Sequence, residues 1–449
     1  MQIGTNNGER LNGQGSDADF ALHSWQLRLA QRNPECIELG LERITSMVRR
    51  LGLKPAAGRV RVLTVAGTNG KGSSAQLAAR LLIAQGYRVG LYTSPHLHSL
   101  TERFQINASS VQPQVLTDVF DWLSRQPEQE TLTYFEFLTL AAFAVFNRED
   151  CDVWVLEVGL GGRLDAVNSI DPDLALITPI GLDHQAFLGD SRAQIGREKA
   201  GILRRGQPAV YNDPQPLASV QHQAELIGAD LLVRGHDFHL QVDGEQACFI
   251  GPEREIRLPR FKQAPALLRD NAAGVLALFT HPNSGYQIDE SLVARAWQDL
   301  QLPGRQQWCW HQQRRVLLDV GHNHQALTAL ADCLAASPKV NAITGKPKKR
   351  GFLFAAMRDK ALVDMLEPVA KFADHWALAA LPQPRAADTA TLADAVLQHS
   401  NAPVSYESSV IDAYNRLLAQ SQPGDEIIVF GSFFTVGPVA AHLSADQAQ

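Results

Sequence analysis

From residue 60 onward, short apolar runs alternate with longer stretches of helical spacing. Val60–Val65 is a β-branched run, followed by a glycine-rich turn and then by Ser73–Gln85, which reads as a helix ending at Gly86. Val89–Tyr92, Val153–Val158 and Leu174–Ile177 are further strand-like runs. Such alternation predicts a parallel sheet covered on both faces by helices. Residues 231–262 break the pattern. There Phe238–Val242, Cys248–Ile250 and Ile256–Leu258 alternate without helix signals, so an antiparallel β excursion is expected, followed by a helix containing Asn271–Phe279. Leu302-Pro303-Gly304-Arg305 then punctuates the chain. Beyond it, Val316–Val320, Gly351–Ala355 and Glu426–Phe430 are strands of a second α/β unit.

The expected fold class is therefore α/β: an N-terminal domain with a P-loop-type, mostly parallel sheet, then a smaller Rossmann-like α/β domain. The boundaries read as a polar, flexible extension over 1–17, a central domain over 18–302 and a C-terminal domain over 303–449.

Composition narrows the function. Apolar residues make up 45% of the 449-residue chain and charged residues 20%, the balance of a globular protein with real cores. A formal charge of −6 gives no basic field for a nucleic-acid backbone. The N-terminus lacks the apolar core of a signal peptide, and the longest apolar stretches, such as Phe137–Phe146, are too short to span a bilayer. Cys36, Cys151, Cys248, Cys309 and Cys333 are scattered, with no Cys-x-x-Cys pair. That fits buried thiols in a reducing cytoplasm.

The strongest chemical signal is Val65-Ala66-Gly67-Thr68-Asn69-Gly70-Lys71-Gly72-Ser73-Ser74, between an expected strand and an expected helix. Glycines let backbone N–H groups close onto a phosphate, the helix N-terminus adds partial positive charge, and Lys71 can reach the β- and γ-phosphates. The spacing departs from the common phosphate loop, because Gly67 stands four residues before Lys71 and Gly72 follows it directly. The loop indicates nucleotide triphosphate chemistry and leaves the acceptor open.

Three other segments follow strands. Glu157–Asp165 begins with a carboxylate near a strand's carboxyl end, where it can hold Mg²⁺ beside phosphates. Gly181-Leu182-Asp183-His184 offers a histidine, a metal ligand or phosphate contact if it is not simply structural. Tyr92–Leu97 offers hydroxyls and His96 at the same presumed edge. Lys199, in Arg197–Ile202, reads on its own as an ordinary surface charge of a helix.

Taken together, these segments resemble the folylpolyglutamate synthase family of the Mur ligase superfamily, from about Ile37 to Val436. The resemblance rests on Leu39–Arg43, Ala66–Ser73, Thr93–Leu97, Thr101–Arg103, Thr133–Glu136, Glu157–Ala166, Asp183-His184, Glu198–Ile202, Leu302–Arg305, Asp319–Asn323 and Gly431-Ser432-Phe433. It implies ATP contacts at Thr68, Asn69, Gly70, Lys71, Gly72, Ser73, Asn271, Arg305 and Asp319. It implies Mg²⁺ ligands at Ser94, Glu157 and His184, and a carbamylated Lys199 beside a second Mg²⁺. Gly40, Leu41, Glu42, Arg43, Thr133, Tyr134, Phe135, Glu136 and Leu164 match the dihydropteroate-binding segments of bifunctional bacterial members. His322 lies where glutamate is expected, and Lys71, Lys199, His184 and His322 form the implied catalytic set. The pattern departs at Val167, Gly321, His324, Ala361 and Phe434.

The implied activity is ATP-dependent ligation of L-glutamate to 7,8-dihydropteroate and to reduced folates through an acyl phosphate. Two Mg²⁺ ions and ATP take part, a monovalent cation such as K⁺ is admitted, and a monomer with no nucleic-acid or membrane partner is expected. A peptidoglycan ligase of the Mur type shares the loop but usually carries a substrate domain before it, and here only 66 residues precede Gly67. A nucleotide-dependent switch would not need a second domain offering Arg305 and Asp319.

Overall fold

The computed structural model describes residues 17–32, 38–56, 58–341 and 343–447. Residues 1–16 of the expected extension, Cys36 and Ile37 lie outside them. Asp17, assigned above to that extension, instead opens the helix Asp17–Ala30 with an acidic first turn.

The first sheet contains β1 (Arg61–Ala66), β2 (Val89–Tyr92), β3 (Phe104–Ile106), β4 (Ser109–Ser110), β5 (Val153–Glu157), β6 (Leu174–Ile177), β7 (Pro208–Tyr211) and β8 (Asp230–Val233). Their spatial order is β4-β3-β2-β5-β1-β6-β7-β8. From β2 through β8 every pairing is parallel, and only the β2-β3-β4 edge is antiparallel. β1, β2, β5, β6 and β7 are buried almost throughout, which is why they read as unbroken apolar runs rather than alternating ones. One apolar core fills each face of this sheet.

The excursion is smaller than its sequence suggested. β9 (His239–Asp243), β10 (Gln246–Ile250) and β11 (Glu255–Arg257) form an antiparallel three-stranded sheet. Residues 231–233, counted with it above, belong to β8 and pair in parallel with β7. A short apolar run cannot announce whether its partner is the next strand or the previous one. The helix Pro265–Phe279 follows.

The second sheet contains β12 (Gln307–His311), β13 (Arg314–Asp319), β14 (Arg350–Phe354), β15 (His375–Ala379), β16 (Val404–Glu407) and β17 (Glu426–Phe430). Their order is β12-β13-β17-β14-β15-β16, parallel except for the β12–β13 hairpin.

Glu426, fully buried at the start of β17, anchors this sheet's amino edge. Its oxygens accept from Arg315 Nη1 at 3.0 Å, Lys348 Nζ at 2.8 Å, Arg350 Nε at 2.8 Å and Ser337 Oγ at 2.8 Å. Burial opposes the carboxylate, but these donors hold its pKa below the usual range. The stabilisation is therefore present above the ordinary carboxylate range and lost as pH falls through the lowered folded value. Glu426→Ala leaves the cations without a counter-charge. Denaturant unfolding should show a loss of about 3–5 kcal/mol, with less acid sensitivity remaining than in the wild type.

Candidate active site

The carboxyl ends of β2, β5, β1 and β6 carry Ser94, Glu157, the phosphate loop and Asp183-His184, the edge where open α/β sheets bind ligands. The loop after β1 turns through two positive-φ glycines. At Gly67 (φ +152°) a Cβ would stand 1.8 Å from Thr178 Oγ1, and at Gly70 (φ +86°) it would stand 2.4 Å from Asn271 Oδ1. Only glycine fits either place. Thr68 N donates to Pro179 O at 2.9 Å, which ties the loop to the end of β6. Helix Lys71–Ala84 then starts with Gly70 as its cap and no side-chain acceptor on its first N–H groups. Asn271 reaches the same loop from its own helix, and its Nδ2 is buried with no partner among the described residues. A donor left this way beside a phosphate loop is suited to a nucleotide.

Glu157 closes β5 and is buried. Its Oε2 accepts from Ser94 N at 3.0 Å, and a Cβ on Gly72 would stand 3.3 Å from that oxygen. Desolvation raises its pKa, and the Lys71 ammonium is the largest opposing influence. Lys199, read above as a surface lysine if taken alone, is buried, with its Nζ 2.7 Å from Gly67 O. Burial, then repulsion from Lys71, lowers its pKa to about 7. His184 adopts φ +51°, a conformation that costs a non-glycine residue about 1–2 kcal/mol. Burial lowers its pKa to about 4, so the ring is neutral and its lone pair is free for a cation.

The second sheet supplies the opposite wall. Arg305 is half-buried, stacks 5.1 Å from the Phe433 ring and lies in the field of Asp319 and Glu157. Asp319 accepts from Gln306 N at 2.9 Å and Gly321 N at 2.6 Å. Gly321 has a steric reason, since a Cβ there would stand 2.7 Å from Asp319 Oδ1. His322 Nε2 stands 3.5 Å from Asp183 Oδ2, and Lys360 Nζ bonds Asp183 Oδ1 at 2.5 Å. Burial opposes the Asp183 charge, yet His322, His184 and Lys360 together hold its pKa far below the usual carboxylate value. Asn69 Nδ2 donates to Gln325 Oε1 at 2.7 Å, and Asn323 Nδ2 donates to Asn69 Oδ1 at 3.0 Å. The phosphate loop is thus tied to both sides of the seam.

Beside the seam lies a cavity of about 250 Å³ lined by Gly40, Thr133, Tyr134, Phe135, Glu136, Leu164, Ser94 and His184, among others. Leu41, Glu42 and Arg43 do not line it. The helix starting at Glu42 turns Leu41 and Glu42 toward a separate shallow depression with Arg49 and Arg50. Arg43 Nε instead bonds Glu136 Oε2 at 3.3 Å, supporting the cavity wall from outside. Thr133 and Glu136 also cap the helix Tyr134–Arg148 reciprocally, leaving Glu136 Oε1 buried and unpaired among the described residues.

Sequence reasoning gave no role to four residues here. Arg103 lines the cavity, donates to His96 Nδ1 at 2.9 Å and stacks on Tyr134. Asp165 lines it too, with its pKa raised to about 6 by burial against bonds from the Leu160 and Val167 N–H groups. Lys360 and Gln325 come from a loop and a helix of the second α/β unit, and no local signal marks either.

A phosphate loop facing a second α/β unit across a charged seam defines a Mur-type ligase. The family models agree: the Mur ligase middle domain matches residues 65–237, and the Mur ligase glutamate ligase domain matches residues 304–433. More narrowly, the chain belongs to the dihydrofolate synthase/folylpolyglutamate synthase family. It is 35% identical to the Escherichia coli (strain K12) dihydrofolate synthase/folylpolyglutamate synthase, over 95% of this chain and 96% of that one. Against the E. coli FolC structure in complex with DHPP and ADP, the TM-score is 0.85 at 34% identity, covering 96% of this chain and 100% of that one. Against the bifunctional enzyme with Mn, AMPPNP and L-glutamate bound, it is 0.84 at 34% identity, with coverages of 96% and 100%. No helix among the described residues is long and apolar enough to cross a membrane.

Gly70→Ala forces a methyl group onto Asn271 Oδ1 at a positive φ. Calorimetry should show ADP affinity at least about tenfold weaker, roughly 1.4 kcal/mol, with the circular dichroism spectrum unchanged.

Proposed function

We propose that this protein joins L-glutamate to 7,8-dihydropteroate, and to reduced folates, with ATP as the energy source. The carrying observation is the meeting of the phosphate loop, buried Glu157 and His184 with Arg305, Asp319 and His322 across one seam, beside a cavity large enough for a flat aromatic substrate.

A carboxylate is a poor acyl donor because its oxygen leaves badly. Transfer of the γ-phosphoryl group makes an acyl phosphate. The glutamate amine attacks it, phosphate leaves, and an amide, ADP and phosphate remain. Phosphoryl transfer demands position and charge neutralisation. In this reading Thr68, Asn69, Gly70, Gly72 and Ser73 cradle the phosphates by their backbone, and Lys71 supplies point charge. Asn271 and Asp319 hold the nucleotide, and Arg305 adds a second cation from the other unit. Gly40, Thr133–Glu136 and Leu164 receive the pterin-bearing substrate, and His322, steadied by Asp183, faces the glutamate. Burial of Glu157, Lys199 and Asp319 limits the water that can reach the acyl phosphate.

The residues also fit a divalent metal. A desolvated Glu157, a neutral His184 and the Ser94 hydroxyl form a donor set, and the Glu157 carboxylate calls for more positive charge than Lys71 gives. We assign Mg²⁺, whose preference for oxygen suits phosphates and carboxylate together. Held by Ser94, Glu157 and His184, such an ion would supply positive charge for the transferring phosphoryl group. Lys199 carbamylation would turn a buried amine into an anionic oxygen ligand for a second Mg²⁺, and its lowered pKa supplies the free amine that reaction needs. No residue is assigned to K⁺. The site is complete within one chain, which suits a monomer. Dependence on ATP and the free thiols of Cys151, Cys248, Cys309 and Cys333 suit the cytoplasm.

The test is ADP release by purified protein with Mg²⁺-ATP and L-glutamate, offering 7,8-dihydropteroate and tetrahydrofolate separately. Release with both is expected, and no glutamate-dependent release with either refutes the reading. Glu157→Gln should lower kcat by at least about a hundredfold; near-normal turnover would remove the metal assignment. The Lys199 amine is protonated below pH about 7 and free above it. With ¹³C-bicarbonate, a carbamate NMR signal should therefore grow as pH rises through that value, and Lys199→Arg should lack it.

A further inference from the structure

At the far end of the second sheet, three side chains converge that the ligase chemistry does not use. His311 closes β12, while His442 and Asp446 stand one turn apart on the helix Phe433–Gln447. His311 Nε2 is 2.9 Å from Asp446 Oδ2, and His442 Nε2 is 3.9 Å from the same oxygen. All three donor atoms lie within 4.8 Å of one another.

We propose that His311, His442 and Asp446 form a binding site for a divalent transition-metal ion of the zinc type, which staples the C-terminal helix to the edge strand β12. Bonds of about 2.0–2.1 Å to a tetrahedral ion place ligand atoms roughly 3.3 Å apart. The observed 2.9 and 3.9 Å bracket that spacing, so small side-chain rotations suffice. Two imidazoles and one carboxylate suit zinc and leave a fourth position for water.

The surroundings match a metal ligand's support. His311 is buried, and its other ring nitrogen, Nδ1, lies 2.7 Å from Tyr414 Oη. That contact fixes the ring and directs Nε2 at the cluster, as outer-shell partners of metal-bound histidines do. A plain His311–Asp446 ion pair would explain only half the arrangement. His442 makes no hydrogen bond among the described residues, yet its ring crosses that of His311 at 5.9 Å and turns Nε2 toward the same carboxylate. The side chains of His442 and Asp446 are 31% and 39% exposed, which opens a path for an ion.

The cluster is separate from the nucleotide site. Phe433 stacks on Arg305 at the start of this helix, and His442 lies nine residues further on, about 13 Å along the axis. Both β12 and the helix thus run from the seam to the cluster, and a metal there would lock their far ends together.

The experiment is equilibrium dialysis of the full chain against Zn²⁺ with saturating Mg²⁺, followed by metal analysis, with Co²⁺ absorption as a probe of tetrahedral coordination. The wild type should retain one more Zn²⁺ per chain than His442→Ala or Asp446→Asn, whose affinity should fall at least about tenfold. Zn²⁺ should raise the melting midpoint of the wild type and leave that of His442→Ala unmoved. Both substitutions are at partly exposed positions, so equal metal-free midpoints verify folding. Glu157→Gln should keep this ion. Equal Zn²⁺ uptake by the wild type and both variants, or loss of the same ion in Glu157→Gln, overturns the assignment.

Discussion

Burying a charge costs several kcal/mol unless another charge or a hydrogen bond answers it. The seam between the two sheets concentrates that demand. Glu157, Lys199 and Asp319 are out of water, Arg305 is half-buried beside them, and Asp183 is held between Lys360, His322 and His184. None of these groups is tolerable alone. Burial pushes Glu157 and Asp319 up and Lys199 and His184 down. The set is sustained by cross-seam neighbours and is suited to triphosphate and divalent cations. The same desolvation that makes the site expensive makes each interaction inside it strong.

The sheet architecture decides which groups share the seam. Parallel strands send their loops to one edge, so β1, β2, β5 and β6 deliver the phosphate loop, Ser94, Glu157 and His184 to one place despite wide separation in sequence. The second sheet offers its own carboxyl edge, with Asp319 at the end of β13. Asn69 is the joint between them, bonding Asn323 and Gln325 while belonging to the loop that would hold phosphate. Asn69 thus links the phosphate loop to the position of the second unit, as His322 and Lys360 link the end of β6 to it through Asp183.

Much of this was legible in the sequence, for physical reasons. Strands buried on both faces must be apolar throughout, so Val153–Glu157 and Leu174–Ile177 announced themselves. A loop that must turn at Gly67 and Gly70 tolerates no other residue, so its glycines were visible. Edge strands such as Gln307–His311 and Val404–Glu407 mix polar and apolar residues and carry little signal. Contacts across the seam, such as Lys360 with Asp183, join residues 177 positions apart and leave no local mark. Leu41, Glu42 and Arg43 sit in a matching segment, but a match does not say which way a helix turns its side chains. Thr133-x-x-Glu136 carried a capping-box signature that could have shown part of its duty to be structural.

The account stands or falls on whether the acceptor carboxylate is phosphorylated. The most direct measurement supplies 7,8-dihydropteroate labelled with ¹⁸O in its carboxylate, with Mg²⁺-ATP and L-glutamate, and reads the label by mass spectrometry of the released phosphate. An acyl phosphate carries one carboxylate oxygen away when the amine displaces phosphate, so one ¹⁸O per turnover should appear in phosphate. Amide formation with unlabelled phosphate would contradict the mechanism and with it the chemical reading of the seam.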